Sequence, residues 1–101
     1  MITIKGGVNI AGIRPEITMA LHVAASVLVD NGYDTVVTSV CDGKHSRGSL
    51  HYIGCAADIR TRHIPKDQRQ SMRDMIAEAL GAQFDVVLEE SSHIHIEFQP
   101  K

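Results

Sequence analysis

The sequence contains no apolar stretch near the roughly 20 residues that cross a bilayer, so no membrane partner is expected. It also lacks a run of Lys and Arg longer than two, and its formal net charge is −2. Phosphate backbones call for clustered cations, so no nucleic-acid partner is expected either. The opening Met-Ile-Thr-Ile-Lys-Gly-Gly has no apolar leader segment, which gives a cytoplasmic start as the expectation. Cysteine is scarce: Cys41 and Cys55 allow one bridge, but without an export signal the thiols are expected to stay reduced. Neither belongs to a Cys-x-x-Cys pair, which argues against a thiolate zinc site or a thioredoxin-like redox role. Cys55, between Gly54 and Ala56, reads as a small buried apolar residue.

There are no internal repeats, low-complexity stretches or linkers, so residues 1–101 read as one domain, expected to be a monomer. With 44% hydrophobic and 22% charged residues the composition is that of a globular chain. A domain of this size buries a single modest core, and a bound metal would contribute to folding as well as to chemistry.

Met1 to Lys5 alternates and predicts a short strand ending at Gly6-Gly7. From Pro15 to about Asn31, Ile17, Leu21, Ala24, Ala25 and Leu28 recur at helical spacing, with Pro15 in the first turn and Gly32 as the stop. Val23, Val27 and Val29 widen that apolar face. Asp34 to Val40 is β-branched and reads as a strand, and Cys41 to Leu50 as a loop. Cys55 to Arg60 alternates, with Cys55, Ala57 and Ile59 on one face and Ala56, Asp58 and Arg60 on the other. A second helix is predicted from Pro65 to Leu80, with Met72, Met75, Ile76, Ala79 and Leu80 inward and Gly81 as its stop. Phe84 to Leu88 and His93 to Phe98 then form a hairpin across Glu89-Glu90-Ser91-Ser92.

This order predicts an α+β domain with a mostly antiparallel sheet covered on one face by two helices. In the last strand Ile94, Ile96 and Phe98 belong to the core face, while His93, His95 and Glu97 share the other. That second face, turned toward solvent, would carry Asp58 too. Asp is depleted in strands and needs a partner when it points inward. His51, Asp58 and the His93/His95 pair therefore form a candidate zinc set: two imidazoles and a carboxylate leave one position of a tetrahedral Zn²⁺ open for water. Each residue also has a bland reading, and His22 and His63 read as surface or hydrogen-bonded histidines.

The pattern Ser49-x-His51-x-x-Gly54-x-Ala56-x-Asp58-Ile59, followed about 35 residues later by His93-x-His95, resembles the M15 group of zinc peptidases. These are D-Ala-D-Ala carboxypeptidases and L-Ala-D-Glu endopeptidases of peptidoglycan, with the hedgehog/DD-peptidase fold. Thr38-Ser39-x-x-Asp42-Gly43-x-His45 and the closing Ile-Glu-Phe-Gln-Pro resemble compact phage-encoded members. The resemblance implies Zn²⁺ as cofactor, His51, Asp58 and His95 as ligands, and His93 as the base, with Glu90 the rival if His93 itself binds the metal. Arg47 becomes a candidate for holding the tetrahedral oxyanion or for gripping a substrate carboxylate, and Ser49 for a hydrogen bond beside the site. The implied substrate is a peptidoglycan peptide, reached after release from the cytoplasm or as part of a virion. A non-catalytic zinc-stabilised module recognising wall peptides is the alternative.

Overall fold

The computed structural model describes residues 2–40, 56–89 and 93–99. Five strands and two helices alternate as β1 (Ile2–Ile4), α1 (Pro15–Asp30), β2 (Thr35–Ser39), β3 (Ala56–Arg60), α2 (Lys66–Leu80), β4 (Phe84–Glu89) and β5 (His93–Phe98). The strands form one sheet in the order β1-β2-β3-β5-β4. Only β1 and β2 pair in parallel; every other neighbouring pair is antiparallel. This is the α+β architecture expected from the sequence. The loop reading of Cys41 to Leu50, and the reading of Cys55 as a buried residue, lie outside the described residues.

Both helices cover the same side of the sheet. Ile17, Ala20, Leu21, Ala24 and Leu28 of α1 and Met72 and Ile76 of α2 share one core with Val37, Ala57, Ile59, Val86, Ile94 and Ile96. Pro15 occupies the first helical position of α1, where its missing N–H costs nothing. Gly81 ends α2 with φ at 89°, a conformation that side chains with a Cβ adopt only under strain. Three residues expected to point inward do not. Val29 is 59% and Met75 45% exposed, and Ala79 is exposed as well. Each sits at the flank of its helix, where the stripe touching a sheet is narrower than the apolar run in the sequence.

Two arginines of α2 tie the helix to the strands through main-chain carbonyls. Arg69 donates from Nε to the oxygens of Thr61 and Ile64, at 3.1 and 2.9 Å. Arg73 donates from Nε to the Val86 oxygen at 2.8 Å. Beside those anchors the Thr61 hydroxyl is completely buried and has no hydrogen-bond partner among the described residues. A buried donor without a partner costs about 1–3 kcal/mol of desolvation. Thr61→Val, which keeps the shape and removes the hydroxyl, is expected to raise stability by about 1 kcal/mol, read as a higher urea midpoint at unchanged slope.

One irregularity positions the site. Val37 of β2 pairs with Ile59, but Ser39 pairs with Asp58, so β2 carries one more residue than β3 over this interval. The bulge shifts the phase of β2: Thr35, Val37 and Val40 are all buried, where strict alternation would have sent Ser39 inward. Beside it, the Thr38 hydroxyl donates to the Asp58 main-chain oxygen at 3.4 Å.

Candidate metal centre

The antiparallel register brings the candidate residues into rows across the face opposite the helices. Asp58 lies directly across from His95, Arg60 from His93 and Ala56 from Glu97. On the far side of β5, His93 faces Glu89, His95 faces Val87 and Glu97 faces Asp85. Side chains directly opposite each other in antiparallel strands have Cβ atoms about 4.5–5.5 Å apart, so these rows are contacts and not only alignments. The alternation read from the sequence placed Asp58, His93 and His95 on this face, and the structure brings all three together.

The centre is a carboxylate between two imidazoles. His95 Nδ1 lies 2.7 Å from Asp58 Oδ1, and His93 Nε2 lies 3.6 Å from the same oxygen. His95 Nε2 is 3.1 Å from Glu97 Oε1, and Gln99 donates to the second oxygen of Glu97. Both ring nitrogens of His95 thus meet a carboxylate. The hydrogen bond to Asp58 raises the His95 pKa to about 9, against the opposing effect of burial and with a smaller contribution from Glu97. In the metal-free protein the ring is an imidazolium donating from Nδ1 to Asp58 and from Nε2 to Glu97.

Asp58 itself is only 8% exposed, while Asp85, Val87 and Glu89 on the same face are exposed, so the face opens to solvent at β4 and is withdrawn from it at Asp58. The imidazoles beside the carboxylate help withdraw it from water, and their hydrogen bonding offsets the cost of doing so. His22 is exposed on α1, and His63 Nε2 lies 2.8 Å from the Asp34 main-chain oxygen, in keeping with the bland reading of both.

Because the folded pKa of His95 exceeds the ordinary 6.5, its pairing stabilises the metal-free protein fully below about pH 6.5 and is lost as pH rises through about 9. Thermal midpoints of metal-free protein should decline across that interval, and His95→Gln should flatten the decline.

The donor set fits zinc. An Asp58 oxygen and an imidazole nitrogen of His95 are ligand types this ion takes, with His93 beside them and His51 the further imidazole that the resemblance implies, and a cation would replace the proton that now joins Asp58 and His95. Among the described residues no group of three His, Cys, Asp or Glu side chains stands at metal-binding geometry. His51, Arg47, Ser49 and Glu90 lie outside the described residues. The structure adds two carboxylates that the sequence pattern did not single out. Glu97, to which the sequence reading gave no role of its own, holds the outer nitrogen of His95, and exposed Glu89 stands directly across from His93. The strand period would have revealed Glu89 had β4 been extended one residue past Leu88.

The model of the hedgehog amino-terminal signalling domain matches residues 17–97. The matched stretch starts at the first buried residue of α1 and ends at Glu97, so it contains Asp58, His93, His95 and the segment with His51. A comparison with curated proteins gives no match. That domain has the hedgehog/DD-peptidase fold, which zinc peptidases also adopt. With a match that takes in nearly all of both helices and of β2 to β5, the chain belongs to the hedgehog amino-terminal signalling domain family.

Proposed function

We propose that this chain is a zinc-dependent peptidase acting on peptidoglycan stem peptides, with His51, Asp58 and His95 as metal ligands. The observation that supports it most is the withdrawn Asp58 carboxylate with two imidazole nitrogens at one of its oxygens. When bound, zinc supplies a water of lowered pKa and a Lewis acid for the scissile carbonyl. His93 is positioned to move the proton. Its Nε2 sits 3.6 Å from Asp58 Oδ1, and a base there would take a proton from the attacking water and return it to the leaving amine. Glu90 is the rival for that task, and Glu89 joins it because of its place opposite His93. Asp58 and Glu97 orient the His95 ring, Arg47 grips a substrate carboxylate and Ser49 supports the site by a hydrogen bond. In this reading the protein reaches the wall after release from the cytoplasm or as part of a virion.

The family membership favours a second reading: a zinc-stabilised module that recognises wall peptides without cleaving them, since a shared fold does not carry a shared activity. One experiment separates the two. Zinc-loaded protein is incubated with purified peptidoglycan and the new termini are identified by mass spectrometry. New N-terminal D-Glu marks endopeptidase action and free D-Ala marks a carboxypeptidase. Stoichiometric zinc with binding but no products supports the module, and protein that takes up no zinc, or keeps it fully after His51→Ala, overturns both.

A further inference from the structure

Beside the Asp58 and His95 row lies a recess of about 210 Å³ lined by Lys5, Thr38, Arg60, Arg62 and His93. Its cations come from two separate places in the chain. Lys5 follows β1 and is fixed next to β2 by its N–H, which donates to the Val37 oxygen at 2.9 Å. Arg60 ends β3 directly opposite His93, and Arg62 follows two residues later. Among the described residues, none of the three has an ion-pair partner, although Asp58 lies two residues from Arg60 on the same face. Three cations lining one recess repel one another, and an anion held among them relieves that repulsion. Two guanidinium forks favour a planar, multiply accepting group.

We propose that this recess binds a carboxylate of the peptide ligand and sets which bond meets the metal centre. Identifying the carrier as a wall peptide rests on the peptidase-like reading above; the anion site rests on the recess alone. Residues two apart on one strand face are about 6.6 Å apart, so the anchored carboxylate lies within about one or two peptide residues of Asp58 and His95. On the other side of that row the face turns acidic, with Glu97 opposite Asp85. The ligand is therefore oriented, its carboxylate toward β1 and any ammonium toward β4.

Two carboxylates satisfy this chemistry: the C-terminus of a stem peptide, or the free α-carboxylate of a γ-linked D-Glu. The test measures binding by calorimetry, with full-length protein and no requirement for turnover. The probes are D-Ala-D-Ala and its C-terminal amide, C-amidated L-Ala-γ-D-Glu-L-Lys with its α-carboxylate free or amidated, and inorganic phosphate. One of the two free acids should bind at least about tenfold more tightly than its amide, naming the carboxylate. That preference should disappear in Arg60→Gln/Arg62→Gln and shrink in Lys5→Gln, each with an unchanged circular dichroism spectrum. Equal binding of acid and amide in both pairs, an undiminished preference in the variants, or tighter binding of phosphate overturns the inference. Peptide binding without cleavage would remove the enzyme reading and leave this site intact, whereas cleavage indifferent to amidation and to Arg60 and Arg62 would do the reverse.

Discussion

Asp58→Ala is expected to reduce zinc affinity by more than about 100-fold, the upper range for loss of a mere supporting partner of a ligand. Asp58 offers an oxygen that two imidazoles already approach, so its removal takes away a ligand and, before metal binds, the acceptor that holds His95 in place. Asp58→Asn keeps the volume and a carbonyl oxygen but drops the charge, and should fall between parent and Ala. Competition with a chromophoric chelator gives all three values. An Asp58→Ala protein that holds zinc within a few fold of the parent would end the assignment of Asp58 as a ligand. The base is resolved in parallel: among His93→Ala, Glu90→Ala and Glu89→Ala, the variant that keeps zinc and loses turnover identifies the proton carrier. Lost zinc in the His93 variant would exchange the roles of His93 and His95.

Ile94→Ala should lower the melting temperature on the order of 15 °C. Ile94 is fully buried between the two histidines in sequence, and it meets the helix-covered core along with Ile59 and Ile96. Removing such a side chain costs about 2–5 kcal/mol, and in a domain of this size each kcal/mol moves the midpoint by about 4–8 °C. Total stabilities of about 5–15 kcal/mol leave little reserve. Saturating zinc should restore part of the loss in Ile94→Ala, because a ligand of the native state adds stability by mass action. A thermal scan of the parent and of Ile94→Ala with and without zinc checks this directly.

Most of the fold was legible because hydrophobic period and punctuation agree along the chain. Pro15, Gly32 and Gly81 bracket helices whose buried residues recur at three and four. His93 to Phe98 alternates so strictly that its two faces follow from the period of a strand. The misses lie where neighbours decide. Met75 and Val29 are as apolar as their buried neighbours, and only the width of the sheet beneath the helix leaves them outside. The β2 bulge cannot be read from Val36-Val37-Thr38-Ser39-Val40, because an extra residue is defined only against its partner strand. Glu97 reads as one more solvent-facing charge until β5 is folded and its carboxylate meets His95. Arg60 and Arg62 gain meaning only when β1 delivers Lys5 from the other end of the chain.

The sheet order also fixes when the centre can exist. The β4–β5 pair is local in sequence and closes early, since short loops cost little entropy and hairpins form within microseconds. Asp58 and His95, separated by 37 positions, meet only after α2 has crossed and β3 has zipped onto β5. The contact between them is therefore made by a non-local closure, and a molecule in which β3 has not paired with β5 does not contain it.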